Sequence, residues 1–301
     1  MRKFPYVQTS VFVDDRQSFG GNQLASYWDK GANASLTQEE MQGMSLEMNF
    51  SESTFLSEPT TKGCVAKVRI FTPAAEIPFA GHPTLGTAFV MKHKRVLGQD
   101  ASNTLLQLGI GPIRVDFLTD NNLRMIQPSP SFEKPIGDVE KVVETIGLTV
   151  NDVDMDNPVQ FVSTGSPYLI VPIKSLSALK RAAPIPSLFK TNLSDLTTQE
   201  IVIFTTETSH SDSHVHARMF APEFGVVEDP ATGSAAGPLG AYLEKYKILR
   251  DHQLGDSINI EQGYEMERPS KLIVRIPDES MSEVQVSGKV RLIAEGTFYL
   301  P

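Results

Sequence analysis

Two stretches of the chain place polar, chemistry-bearing residues at matching spacing. The first reads Arg69-Ile-Phe-Thr-Pro73, then Pro78-Phe-Ala-Gly-His-Pro-Thr84, then an apolar run from Leu85 to Met91. The second reads Arg218-Met-Phe-Ala-Pro222, then Glu228-Asp-Pro-Ala-Thr-Gly-Ser234, then an apolar run from Leu239 to Leu243. Each reads as a short strand ending in proline, a Gly-centred turn and a helix rich in small residues. A helix start offers unpaired N–H groups and about half a positive charge. Two of them converging would hold a carboxylate or stabilise an enolate as charge develops, which suits proton abstraction beside a carbonyl. Taken singly, Gly81 and Gly233 read as residues of tight turns; their paired occurrence favours a site.

Such a reaction needs an acid and a base. The polar side chains near the turns are Glu76, His82, Glu228, Asp229 and Ser234, and Glu52 arrives from a preceding strand. Glu52 is the first choice for the base. A period of two after Asn49 puts Phe50, Glu52 and Thr54 on one strand face, and an aromatic neighbour would desolvate the carboxyl and raise its pKa. The plainer reading of Glu52 is an exposed strand residue. His82 opens the first helix just before Pro83, where it caps the helix or shuttles a proton.

These residues need a scaffold. The chain reads as a strand (Tyr6 to Val13), a Gly-rich loop, a strand (Leu24 to Trp28) and a helix with Thr37 and Glu40 in capping-box spacing and Met41, Met44 and Met48 on its core face. The helix through Leu85, Ala88, Phe89, Val90 and Met91 is apolar nearly all round, so a sheet should wrap it, with Gly86 and Ala88 allowing close approach. Two strand-like stretches fill Gln107 to Ile126, and the Pro-rich segment Gln127 to Pro135 reads as a linker. Beyond it come a helix (Val139 to Ile146), strands (Pro158 to Ser163, Tyr168 to Pro172), a helix (Leu176 to Arg181) and a strand (Glu200 to Thr205). The chain closes with Ile258 to Gln262, Lys271 to Ile276, Glu283 to Ser287 and Val290 to Leu300. Two α+β halves of similar plan result, residues 1–127 and 128–289.

With 301 residues, 40% of them hydrophobic and 21% charged, the chain has room for two medium domains. A net charge of −9 and the lack of a long basic cluster argue against nucleic acid or an anionic membrane as partner. Cys64 stands alone, so neither an intrachain disulfide nor a cysteine pair is available. No signal peptide or bilayer-length apolar run is evident, which makes the cytoplasm the default location. His210, Asp212, His214 and His216 crowd one loop, but spacing is the only support for a zinc site and a fourth ligand is missing, so no metal is assigned.

The sequence resembles the PhzF-type isomerases of phenazine biosynthesis. The resemblance is carried by Gly21-Asn-Gln-Leu-Ala25, Glu47-Met-Asn-Phe-Ser-Glu-Ser-Thr-Phe55, the two duplicated stretches, Phe224-Gly-Val-Val-Glu-Asp-Pro-Ala-Thr-Gly-Ser-Ala-Ala-Gly237, Glu261-Gln-Gly263 and Arg268-Pro-Ser270. It implies a diaminopimelate-epimerase-like α+β fold: two similar halves, each a mixed or antiparallel sheet around a central helix, the active site in the cleft between them and the final strand, 290–301, returning to the first half. It places the family's catalytic residues on Glu52, His82, Asp229 and Ser234. Gly81 and Gly233 would supply backbone N–H groups, and Asn22 and Thr232 further substrate contacts. The related epimerases use two cysteines where this chain has Ala80 and Thr232, which argues against a two-thiol racemase. The implied enzyme is a cofactor-independent isomerase that moves a proton between carbons of a small carboxylate, as a homodimer. Two other classes stay open: a non-catalytic small-molecule-binding protein on the same fold, and a serine hydrolase using Ser234, although Gly233-Ser-Ala-Ala-Gly237 lacks the pattern of a nucleophile elbow.

Overall fold

A computed structural model describes residues 1–301. The chain forms two compact units, Met1–Ile126 with Ser287–Pro301, and Gln127–Val286.

The first unit contains β1 (Arg2–Val11), β2 (Asn22–Tyr27), α1 (Lys30–Asn33), α2 (Gln38–Met48), β3 (Glu52–Ser57), β4 (Ala66–Phe71), β5 (Glu76–Ile77), α3 (Gly81–His93), β6 (Asn103–Leu108), β7 (Gly111–Phe117) and β8 (Asn122–Gln127). Pairing runs β1–β2, β2–β3, β3–β4, β4–β6, β6–β7 and β7–β8, and the last strand of the chain, Val284–Leu300, pairs with both β8 and β1. The ring is therefore closed, and α3 runs inside it. An apolar helix with no polar stripe has no face to give to water, so burial on all sides is its only stable placement. Gly86 makes the approach possible: a Cβ there would stand 2.5 Å from Leu24 Cδ2 and 2.9 Å from Val11 Cγ2. The interior also holds a polar layer, in which Thr54 donates to Ser26 Oγ at 2.9 Å and meets Thr87 Oγ1 at 2.8 Å. On the outer face of the wall, α2 presses Met41 and Met44 onto Phe4, Tyr27, Phe55 and Phe71. Thr37 and Glu40 form the expected reciprocal cap at its start.

Sequence periodicity misplaces one aromatic. Phe50 does not share a face with Glu52; it packs against the outer aromatic cluster. Asn49 ends α2 in the left-handed conformation (φ 52°), and the strand begins only at Glu52, so alternation does not extend back to Phe50. The stretch read as Glu283 to Ser287 and Val290 to Leu300 is a single strand of 17 residues. Gly288 does not break it, because the missing side chain makes room for Phe12, whose Cδ1 would lie 2.3 Å from a Cβ. The Gln107–Ile126 region likewise holds parts of three strands rather than two.

The second unit contains β9 (Ser131–Pro135), α4 (Val139–Glu144), β10 (Gln160–Ser163), β11 (Pro167–Pro172), α5 (Leu176–Arg181), α6 (Pro186–Asn192), β12 (Ile201–Thr205), β13 (Val215–Ala221), β14 (Val226–Asp229), α7 (Gly233–Lys245), β15 (Ser257–Gln262) and β16 (Ser270–Arg275). The Pro-rich stretch read as a linker is in part β9, which pairs antiparallel with β10, as β10 does in turn with β11. Parallel pairs join β11 to β12 and β13 to β15, and antiparallel pairs join β12 to β13, β13 to β14 and β15 to β16. Helix α7 is the counterpart of α3. It packs on β10, β11 and β16, with Gly240 against Val274. The other face of the sheet is covered by α4, α5 and α6, whose Val142, Leu179 and Phe189 share a core with Phe220 of β13. No helix of the chain is long and apolar enough to cross a membrane.

Candidate active site

In the first unit, β2, β3 and the start of α3 bring four of the expected residues together. Glu52 opens β3, in parallel register with Leu24 two residues beyond Asn22. Gly81 and His82 open α3, whose N-cap residue, Ala80, has no side chain to satisfy the first-turn N–H groups. His82 is 2% exposed and its Nε2 lies 3.3 Å from Glu52 Oε2. The contact is close without hydrogen-bond alignment, and His82 Nε2 has no hydrogen-bond partner. Burial pushes the imidazole down to about 3, although a hydrogen bond to the Gln23 backbone works the other way. The nearby carboxylate does not reverse this, so His82 is neutral at ordinary pH. A neutral ring that spends its one N–H on a backbone carbonyl keeps a lone pair on the other nitrogen. That lone pair lies 3.3 Å from Glu52 Oε2, a carboxyl oxygen that could donate to it when protonated, once the two groups align. Asn22, at the start of β2, is fully buried.

In the second unit, the turn after β14 gathers Asp229, Thr232, Gly233 and Ser234. Thr232 is the N-cap residue of α7, but its hydroxyl turns back to donate to Asp229 Oδ2 at 2.6 Å instead of capping the helix. Asp229 is only 5% exposed. Gln262 clamps the turn: its Nε2 donates to the Asp229 carbonyl at 2.8 Å and to Thr232 Oγ1 at 3.0 Å, and its Oε1 accepts from the Thr232 N–H at 3.2 Å. Gln127 holds the helix start by donating to the Gly233 carbonyl at 2.9 Å while accepting from Thr164 Oγ1 at 2.6 Å. Ser234 Oγ lies 2.6 Å from Tyr168 Oη, with both side chains buried. A serine nucleophile needs an adjacent base; the partner here is a phenol.

Sequence reading missed Gln262, Gln127 and Tyr168. Gln262 stood inside the Glu261-Gln-Gly263 motif, so a signal existed, whereas the other two acquire meaning only through contacts distant in sequence. The remaining acids near the turns are committed elsewhere. Arg69 Nε donates to Glu76 at 2.7 Å, and Arg218 holds Glu228 through two contacts of 2.8 Å. The loop histidines do not converge. His214 Nδ1 accepts the Asn259 N–H at 2.9 Å, while His216, fully buried, contacts Glu261 through Nδ1 at 2.6 Å and Glu265 through Nε2 at 3.2 Å.

Comparison with known proteins agrees in fold and family. The profile of the family described as "Phenazine biosynthesis-like protein" matches residues 10–296. A curated relative from Pseudomonas aeruginosa, "Trans-2,3-dihydro-3-hydroxyanthranilate isomerase", is 35% identical over 98% of this chain and 99% of its own length. The crystal structure of a PhzF-family phenazine biosynthesis protein from Bacillus anthracis superposes with a TM-score of 0.86 at 27% identity, covering all of both chains. A probable proline racemase from Agrobacterium radiobacter, 9% identical, covers 99% of this chain and 93% of its own with a TM-score of 0.63, a likeness of fold alone. With a profile spanning nearly its whole length and a fold shared with PhzF proteins, the chain belongs to the phenazine biosynthesis-like (PhzC-PhzF) family, whose curated relatives are named isomerases.

Proposed function

We propose that the protein moves a proton between two carbons of a small, unsaturated carboxylate, with Glu52 as the acid/base group. The observation that carries this reading is the His82–Glu52 pair at the uncapped start of α3. Glu52 removes a proton next to the electron-withdrawing part of the substrate. The neutral His82 then accepts a hydrogen bond from the protonated carboxyl, and Glu52 returns the proton to a different carbon. One carboxyl serves both steps, so the sequence of events uses no cofactor. Negative charge that develops on the substrate between the steps is offset by first-turn N–H groups, which a helix dipole makes favourable anion partners. Asp229, Thr232, Gly233 and Ser234 are assigned to binding and orienting the substrate, and Asn22 and Gly81 to further contacts. The isomerase named in the Pseudomonas aeruginosa relative suggests trans-2,3-dihydro-3-hydroxyanthranilate as the first compound to try.

The test is proton NMR in deuterium oxide with this compound and a panel of small unsaturated carboxylates, comparing wild type with Glu52→Gln. Deuterium should enter a carbon position with wild type and not with the variant. Undiminished exchange in Glu52→Gln removes Glu52 from the role of base.

A further inference from the structure

Tyr168 takes no part in the proton transfer proposed for Glu52, yet its hydroxyl is the partner of Ser234. It lies on β11, 66 residues before Ser234 in sequence, and its Oη meets Ser234 Oγ at 2.6 Å with both side chains out of solvent. The exposures are 3% for Tyr168 and 2% for Ser234. A serine in the first turn of a helix ordinarily has competing options: it rotates about χ1, or it returns its proton to a backbone carbonyl of the preceding turn. Two hydroxyls in contact can share only one proton between them. The phenol is the stronger acid and so the better donor, while the aliphatic hydroxyl is the better acceptor. Donation from Tyr168 to Ser234 fills one lone pair of Oγ and leaves the serine proton to point elsewhere.

We infer that Tyr168 is a positioning residue that locks Ser234 as an outward hydrogen-bond donor to the carboxylate of the substrate. The inference rests on the assignment of Ser234 to substrate binding. The backbone at this point is held independently: Gln127 donates to the Gly233 carbonyl and Gln262 clamps Thr232. Loss of the phenol hydroxyl therefore frees the serine side chain without releasing the turn. Tyr168→Phe keeps the ring and its packing and removes only the oxygen.

The experiment uses four proteins, wild type, Tyr168→Phe, Ser234→Ala and the double variant, with two readouts. The first is the Kd for anthranilate, a stable small carboxylate, by titration calorimetry. The second is deuterium incorporation into trans-2,3-dihydro-3-hydroxyanthranilate, with its KM and kcat separated. Ser234→Ala should weaken anthranilate binding about 10- to 150-fold, the range for a hydrogen bond to a charged group, and Tyr168→Phe, which loosens that donor without removing it, about 3- to 10-fold. The double variant should be no weaker than Ser234→Ala, because the tyrosine acts only through the serine. KM should rise by a similar factor with kcat nearly unchanged. Additive losses, an unchanged Kd in Tyr168→Phe, or no anthranilate binding by wild type would each overturn the inference. A purely structural tyrosine would lower the thermal midpoint and weaken binding equally in the Ser234→Ala background. Calorimetric coupling without deuterium exchange would leave the inference standing and count against the isomerase reading alone.

Discussion

The two copies of the Arg-x-Phe-x-Pro stretch use the same local chemistry in opposite surroundings. In both, the arginine lies over the phenylalanine two residues on, at 5.1 Å for Arg69 over Phe71 and 5.0 Å for Arg218 over Phe220. In both, the guanidinium takes a downstream glutamate by two contacts, Glu76 or Glu228. The first pair remains partly in water. The second is nearly enclosed, and Arg218 also donates to the carbonyls of Leu179 and Ala182 at 3.0 and 2.7 Å, tying β13 to the end of α5. Local motif and hydrogen-bond pattern thus repeat while the energetics diverge, because the two motifs sit in different packing and feed different helix starts. The first copy leads to a helix start whose histidine is desolvated beside a carboxylate. The second leads to one clamped by amides and hydroxyls. Under the proposed function, the first copy handles the proton and the second holds the substrate.

That assignment is broken most directly by paired substitutions. Glu52→Gln should reduce turnover by about 10²–10⁴-fold, the usual contribution of a general acid/base, whereas Asp229→Asn should act more on KM than on kcat. Steady-state kinetics giving the reverse pattern would exchange the roles of the two copies. In stability, Arg218→Ala should cost about 3–5 kcal/mol in urea unfolding, because it leaves Glu228 without its cation and two carbonyls without a donor.

The next effect is on pH dependence. The His82 proton affinity in the folded state, about 3, lies below the ordinary 6.5, so the unfolded chain binds the proton more readily between those values. Stability from this group is complete above pH 6.5 and falls as pH drops toward 3, at up to about 1.4 kcal/mol per pH unit. His82→Asn should flatten the acid limb of the stability curve by that amount; equal slopes in the two proteins would refute a buried neutral imidazole. His216 has the opposite sign. Burial favours its neutral form, but the hydrogen bonds with Glu261 and Glu265 outweigh this and raise its pKa, so its stabilisation is present at low pH and is lost as pH rises through the folded value. The smallest effect is expected from Arg69→Ala, about 0.2–1 kcal/mol, as for other exposed ion pairs.

Much of this architecture is legible in the residues themselves. The all-round apolar character of α3 requires an enclosing wall, and the Thr37–Glu40 spacing fixes the start of α2. Failures occur where a local rule meets a tertiary demand. Alternation through Phe50 reads as one strand face, but the left-handed Asn49 turns the chain and the aromatic goes to the outer cluster. Gly288 reads as a break, but Phe12 fills the space its side chain would take. Proline at Pro135 reads as linker, yet a short strand with solvent on one side accommodates it. Helix α6 is too short to show a period and carries no side-chain cap. At the site, Glu52, His82, Asp229 and Ser234 stand out by type and motif. Tyr168 does not, since a tyrosine in an apolar strand looks like core until its hydroxyl is seen against Ser234.

The pairing of β1 with the last strand also bears on how the chain is made. Val11 registers with Val290 and Arg2 with Leu300, so an early strand closes its ring with one that leaves the ribosome much later. At about 5–20 residues per second, β1 waits roughly 15–60 s for that partner. Residues 127–286 form one uninterrupted segment and are free to fold during this interval. Until then the unsealed ring exposes a strand edge that invites pairing with other chains. Holding-type chaperones, or slower protein output at lower growth temperature, should therefore benefit the yield of the first unit above all.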